Sequence, residues 1–315
     1  MAMKKVELRN PLFHDDDAVR EHLERVLWPQ GPVCPRCGVM GDRITKLQGK
    51  STRPGVYKCK DCRKPFSVTV GTVMERSHIP LSKWLLATQL MASSKKSMSA
   101  HQLHRMVGTS YEAAWFMFHR LREAATDIDP GTLGGPDRFV EADETYVGGK
   151  AKNKAFGSPP PKMAVFSLVE RDGKARSFHI ANVTAESVRP LIEAAASRES
   201  HFRTDESGIY WKVGEEFASH KTVVHSAEEY VRGDAHVNSA EGLFGLFKRA
   251  IYGQFHSISE AHLHRYLAEA DFKYNHRSAL GYDDVDRAAV LLRGVRGKRL
   301  LYRQPDIEAP EAGTA

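Results

Sequence analysis

The sequence predicts a small metal-held ribbon, then a helical segment, then an α/β C-terminal half. Three observations carry this. Two Cys-x-x-Cys pairs stand near the N-terminus. Apolar residues at helical spacing run through residues 80–126. From Phe139 onward, strand-like and helix-like stretches alternate, with acidic residues at or beside their ends.

At 315 residues, with 41% hydrophobic and 27% charged residues, the chain has ordinary globular composition and room for more than one domain. No apolar run approaches the ~18 residues of a membrane span, and the polar N-terminus, with acids at 15–17, is unlike a signal peptide. A cytoplasmic, nucleoid-associated protein without a membrane partner is expected. The formal charge is +7, and it is unevenly placed. Residues 1–135 hold 21 Lys and Arg against 13 Asp and Glu, whereas residues 136–315 hold 25 against 26. The basic excess therefore belongs to the N-terminal part, as a phosphate-binding surface requires.

Residues 1–29 are read as an N-terminal helix, Asp15 to Trp28, stopped by Pro29. Residues 30–75 are read as a zinc ribbon. Cys34 and Cys37, then Cys59 and Cys62, form two pairs whose thiolates can complete a closed S4 site for structural Zn²⁺. Two disulfides are the competing reading, disfavoured in a cytoplasmic chain. Between and after the pairs lie Arg43, Lys46, Lys50, Arg53, Lys58, Lys60, Arg63 and Lys64, with Asp61 as the sole acid, a candidate double-stranded DNA contact. A strand is expected over Pro65 to Gly71.

Residues 76–130 are read as helical. Pro80 opens a helix to Met91, and Ser93 to Met98 is a polar break. Ser99 to Val107, a turn at Gly108 and a longer helix from Tyr111 to Ala125 have helix-turn-helix order; the alternative is a plain three-helix support. Asp127 to Pro136 reads as a linker.

Residues 137–285 are read as the α/β domain. Phe139 to Val147 is a strand carrying acids in its middle, and an unpaired buried carboxylate is costly unless it binds a cation. A basic, Pro-rich loop over 150–162 follows. Met163 to Glu170 and Ala175 to Val183 form a hairpin across an Asp-Gly turn. Thr184 caps a helix to Ser197, His201 to Asp205 is a strand, Ile209 to Phe217 is helical, Lys221 to Val224 is a strand, and Asn238 to Ile251 is a helix. That order is the order of a ribonuclease-H-like fold. Asp143, Asp205 and Glu241 fall where the fold would gather them, and three carboxylates can hold two Mg²⁺ or Mn²⁺ ions about 4 Å apart.

Five stretches together carry a resemblance. They are Cys34 to Gly38, Val140 to Lys150, Thr204 to Tyr210, His236 to Arg249, and His262 to Arg277. They cover about residues 30–280 and resemble the bacterial insertion-sequence transposases of the DDE class with an N-terminal zinc ribbon. The resemblance implies binding of transposon ends, cutting and rejoining of DNA, and a homodimer or larger assembly that pairs two ends. It places the first two catalytic acids at Asp143 and Asp205. Either Asn238 or Glu241 fills the third position, and Glu241 is favoured because a carboxylate is the better Mg²⁺ ligand. Asn238 and Glu241 also read as a capping box.

Lys248, two turns along the helix face from Glu241, and its neighbour Arg249 are further candidate DNA contacts. Glu144 should turn to the opposite strand face from Asp143. His225 and His236 flank the last helix as DNA-contact or polar-loop residues. Tyr266, Trp211 and Phe272 read as core. Residues 286–315 are read as a basic and disordered tail. Two alternatives remain: a ribonuclease-H-like nuclease without strand transfer, and a zinc-ribbon DNA-binding regulator on an inactive scaffold.

Overall fold

The computed structural model describes residues 7–148 and 162–301. Gly149, most of the expected loop over 150–162, and the expected disordered stretch over 304–315 lie outside the described residues.

Helix α1 (Asp16–Leu27) starts where the Asp15 side chain accepts the backbone N–H of Asp17 and Ala18. It buries Val19, Leu23 and Leu27. The ribbon follows as a three-stranded antiparallel sheet of β1 (Ile44–Lys46), β2 (Tyr57–Cys59) and β3 (Pro65–Phe66). Strand β3 is shorter than expected because turns begin directly after it, Val70 N–H bonding to Ser67 O. The ribbon is not held by cysteines alone. Trp28 at the end of α1 packs edge-on against Tyr57 and Phe66, at 5.4 and 5.8 Å.

Helices α2 (Leu81–Ser93), α3 (Ala100–Val107) and α4 (Tyr111–Ala125) build the middle segment. Gly108 ends α3 in the left-handed conformation, φ 62°, and Ser110 caps α4 through Ala113 N–H. The helix-turn-helix order is present, but α4 is buried from Met117 to Leu121 and beyond. Its most exposed residues are Tyr111 and Glu112 in the first turn, beside the α3 surface around Gln102 and Arg105.

The second sheet has five strands in the order β6-β5-β4-β7-β8: β4 (Phe139–Val147), β5 (Met163–Glu170), β6 (Ala175–Ile180), β7 (His201–Thr204) and β8 (Ser219–Thr222). β4 pairs antiparallel with β5 and parallel with β7. The strand order is that expected for a ribonuclease-H-like fold. Helix α5 (Ala185–Ala195), capped by Thr184, covers one face with a core of Val140, Ala142, Phe166 and Phe202. Helices α7 (Asn238–Ala250) and α8 (Leu263–Asn275) cover the other. Between β7 and β8 the helical stretch is short, a 3-10 turn from Gly208 and then α6 (Trp211–Gly214). Trp211, expected in the core, is 64% exposed, because this brief helix projects it outward; Tyr266 and Phe272 are buried.

The expected C-terminal tail begins instead with a helix. α9 (Asp284–Arg293), closed by a capping box at Asp283, buries Ala288, Leu291 and Leu292. It packs on α2, α1 and α4, and its Leu291 and Leu292 join the same core as Trp84, Leu103 and Leu121. Val73 N–H then bonds to Val295 O. The apolar residues of α9 are legible as a helix stripe, but their partners lie some 200 residues earlier in the sequence.

Candidate active site and zinc ribbon

The four cysteines converge, with all four sulfurs within 4.8 Å of one another. Cys34 Sγ lies 3.6 Å from Cys62 Sγ, and Cys37 Sγ lies 3.5 Å from Cys59 Sγ. These separations are far beyond a disulfide bond and close to the ~3.8 Å sulfur spacing of tetrahedral zinc at a Zn–S length of about 2.3 Å. Burial raises the Cys34 thiol, yet backbone N–H groups of Arg36 and Cys37 with neighbouring thiols bring it down to about 7. Two of its partners move the other way: against the Val39 N–H, the bond to Cys34 pushes the Cys37 thiol up to about 12, and against the Lys64 N–H, burial raises Cys62, so it is Cys34 that is readied as a thiolate. Around it, Lys46, Lys50, Arg53, Lys58, Lys60, Arg63 and Lys64 are all exposed. Among the described residues, Arg43 is the one member of the cluster spent on an ion pair, with Asp61.

In the second sheet, side chains of β4 alternate. Val140, Ala142 and Glu144 face α5, and Glu144 accepts the hydroxyl of buried Tyr210. Glu141, Asp143 and Val147 face α7. β4 and β7 pair as Phe139 with His201, Val140 with Phe202 and Glu141 with Arg203. Continuing that register by two residues sets Asp205 beside Asp143. Burial, then the charges of Glu144, Asp205 and Glu241, push the Asp143 carboxyl up to about 7. Asp205 is also raised, by burial and by Glu206, while His225 opposes the shift. It accepts the N–H of Ser207 at 3.0 Å. The three acids thus come from β4, the end of β7 and the first turn of α7, and they share one electrostatic neighbourhood. Their oxygens are spread more widely than the four sulfurs, which are the only ligand group so tightly gathered among the described residues.

The capping-box reading of Asn238 and Glu241 is overturned. The residue before the helix is Val237, and no side chain of the cap bonds back to it. Instead Glu141, fully buried on β4, supplies the cap from across the domain. It accepts Ser239 N–H at 2.7 Å, Ala240 N–H at 3.2 Å and Ser239 Oγ–H at 3.1 Å. Arg171 Nε donates to it at 2.9 Å, and His236 Nδ1 lies 3.3 Å away. The Glu241 carboxylate is therefore released from capping and stands exposed at the helix start, with Asn238 beside it.

Residues 132–275 match the ISXO2-like transposase domain, and residues 14–65 match a transposase zinc-ribbon domain. The chain is 30% identical over 244 residues to the uncharacterized protein in transposable element ISH50 of Halobacterium salinarum, over 72% of this chain and 80% of that one. The chain belongs to the ISXO2-like insertion-sequence transposases.

Glu141, Asp143, Glu144, Asp205 and Glu241 lie inside the matched transposase domain, as do Lys248 and Arg249. Lys248 is half-buried and Arg249 exposed on α7. His225 lies close enough to Asp205 to lower its proton affinity, and His236 contacts Glu141 instead. A perturbed carboxyl alone is a poor guide here. Burial also raises Asp271 on α8 to about 7, but Asp271 is occupied by the N–H and hydroxyl of Ser177. Among the residues missed from sequence, Glu141 stands out. Its only sequence signal is an acid two places before Asp143, hence on the same strand face. Among the described residues, no helix is long and apolar enough to cross a membrane.

Proposed function

We propose that this transposase binds the ends of its own element and carries out metal-dependent phosphodiester hydrolysis followed by strand transfer. The observation that carries the reading is the acid cluster itself, where a mostly buried Asp143 is flanked by Asp205 and Glu241. Three carboxylates repel one another, and the donor set of oxygen ligands matches Mg²⁺ or Mn²⁺. Asp143, Asp205 and Glu241 would hold two such ions, with Asn238 as the alternative third ligand. When bound, the ions supply Lewis acidity and lower the pKa of the attacking hydroxyl.

The chain's own residues orient the reaction. β4 and β7 hold the two aspartates side by side on a rigid sheet, and Glu141 fixes the helix that presents Glu241. Lys248 and Arg249 on α7 supply phosphate contacts to the DNA strand at the acids, and the exposed ribbon cations supply contacts to double-stranded DNA. Two ends must be brought together for joining, so the working form is a homodimer or larger assembly on DNA.

The test is an assay with purified protein, Mg²⁺ and a labelled fragment carrying the element's ends. Joined products that disappear in Asp143→Asn and in Asp205→Asn support the reading. Cleavage without joining would favour a nuclease. Sequence-preferring binding with no cleavage, unchanged in both variants, would favour a DNA-binding regulator.

A further inference from the structure

A cavity of about 590 Å³ opens between α7, α8 and the connection from α2 to α3. Its wall contains Lys95, Lys96, Arg249, Lys273, Arg277 and Arg287, and no acidic residue lines it among the described residues. Three of these cations serve the fold. Lys273 bonds Ser97 and Glu269, Arg277 bonds the carbonyls of Gly173 and Tyr274, and Arg287 bonds the carbonyls of Ala92 and His276. The other three are different. Lys95, Lys96 and Arg249 are exposed, and among the described residues no hydrogen bond or ion pair engages them.

The floor is apolar, with Leu243, Phe247 and Phe255. The near wall is the face of α7 that begins at Asn238 and Ser239, in the same first turn as Glu241. That face is opened by Gly242, where a side chain would meet nothing within 4 Å. A cationic rim, an apolar floor and an end beside the acid cluster are the features of a channel for one nucleic-acid strand: phosphates take the rim, and sugars and bases take the floor. The volume suits a few nucleotides and is far too small for a duplex.

We propose that this cavity binds a single, unpaired DNA strand and leads its phosphodiester backbone from Lys95, Lys96 and Arg249 toward the acids of β4 and α7. The inference rests on the transposase reading, but it assigns a site and a strand form that the reading does not contain. It makes the α2–α3 connection, outside the matched transposase domain, part of the substrate path.

The experiment is equilibrium binding of a short single-stranded DNA and of its duplex by the zinc-loaded chain, without Mg²⁺ or Mn²⁺, across a range of NaCl. The wild-type chain is compared with Lys95→Ala/Lys96→Ala/Arg249→Ala and with Gly242→Glu, which places an anion in the open space. Losing three phosphate contacts to a single strand should lower the slope of log affinity against log salt by about 2. Gly242→Glu should weaken single-strand binding while far-UV circular dichroism and zinc content stay as in the wild type. Unchanged single-strand affinity and slope in both variants would overturn the proposal, as would a loss confined to duplex binding. Because no Mg²⁺ or Mn²⁺ is supplied, no joining takes place, and this outcome is separate from the joining assay. A chain that binds single strands as described but never joins ends would overturn only the transposase reading.

Discussion

Glu141 and Ser239 are 98 residues apart in sequence, and the carboxylate of one accepts the backbone N–H of the other at 2.7 Å. This bond ties the central strand to the start of α7. It also replaces the local cap that helix α7 lacks, satisfying two N–H groups that would otherwise be unpaired inside the protein. A buried anion at a helix N-terminus is further favoured by the helix dipole.

Removing that carboxylate leaves Arg171 and the helix N-terminus without their partner. Glu141→Ala should cost about 3–5 kcal/mol of stability, the usual penalty for breaking a buried ion pair from one side. Glu141→Gln keeps an acceptor for Ser239 and should cost less. Both can be read by urea denaturation. If Glu141 only fills space, the isosteric Glu141→Gln will be as stable as the wild type and only Glu141→Ala will lose stability.

Helix α9 should behave as core rather than tail. Leu291 is fully buried among residues of α1, α2 and α4. Leu291→Ala is expected to cost about 2–5 kcal/mol. A truncation before Asp284 should expose the helical segment to proteolysis. A stable, protease-resistant truncation would contradict this assignment.

His119 predicts the acid limb of stability. It is buried, with neither ring nitrogen hydrogen-bonded, and burial followed by the charge of Arg122 lowers its pKa to about 3. The unfolded chain binds a proton near 6.5 that the folded chain refuses, so stability is lost as pH falls from about 6.5 toward 3. The slope approaches about 1.4 kcal/mol per pH unit for this one group. Thermal melts of His119→Phe against pH should show a flatter acid limb than the wild type. An equal slope would remove His119 as the cause.

Zinc removal should be visible in Trp28. The ring of Trp28 packs on Tyr57 and Phe66 of the ribbon sheet, between the two cysteine pairs and just after them. One zinc per chain is expected by elemental analysis, and a chelator should lower the melting temperature and shift Trp28 fluorescence toward that of an exposed indole. In Cys59→Ser the metal content should fall well below one. Full zinc in that variant would count against the S4 site.

The ribbon cations should act as a salt-dependent surface. Lys58, Lys60 and Lys64 are exposed beside the cysteines. Replacing all three by Ala should weaken duplex binding similarly across sequences and lower the salt slope by up to about 3. A change confined to one sequence would point to base contacts instead.

Much of this protein is written in local spacing. Two Cys-x-x-Cys pairs mark the four thiols of one site, because each knuckle is a turn closed by bonds near its own cysteines. Strand alternation alone separates Asp143 from Glu144, and the order of strands and helices is enough to set Asp205 and the start of α7 near β4. Tertiary structure decided what local pattern cannot hold. The cap of α7 comes from Glu141 rather than from Asn238, because any acceptor of the right charge can satisfy an N–H group, whatever its place in the chain. α9 leaves the α/β domain to seal the N-terminal core, because an apolar stripe specifies burial but names no partner. Lys95, Lys96 and Arg249 meet around one cavity only once α7 and the α2–α3 connection are packed side by side. Spacing along the chain determined which residues carry the chemistry, and packing between distant segments determined which of them meet.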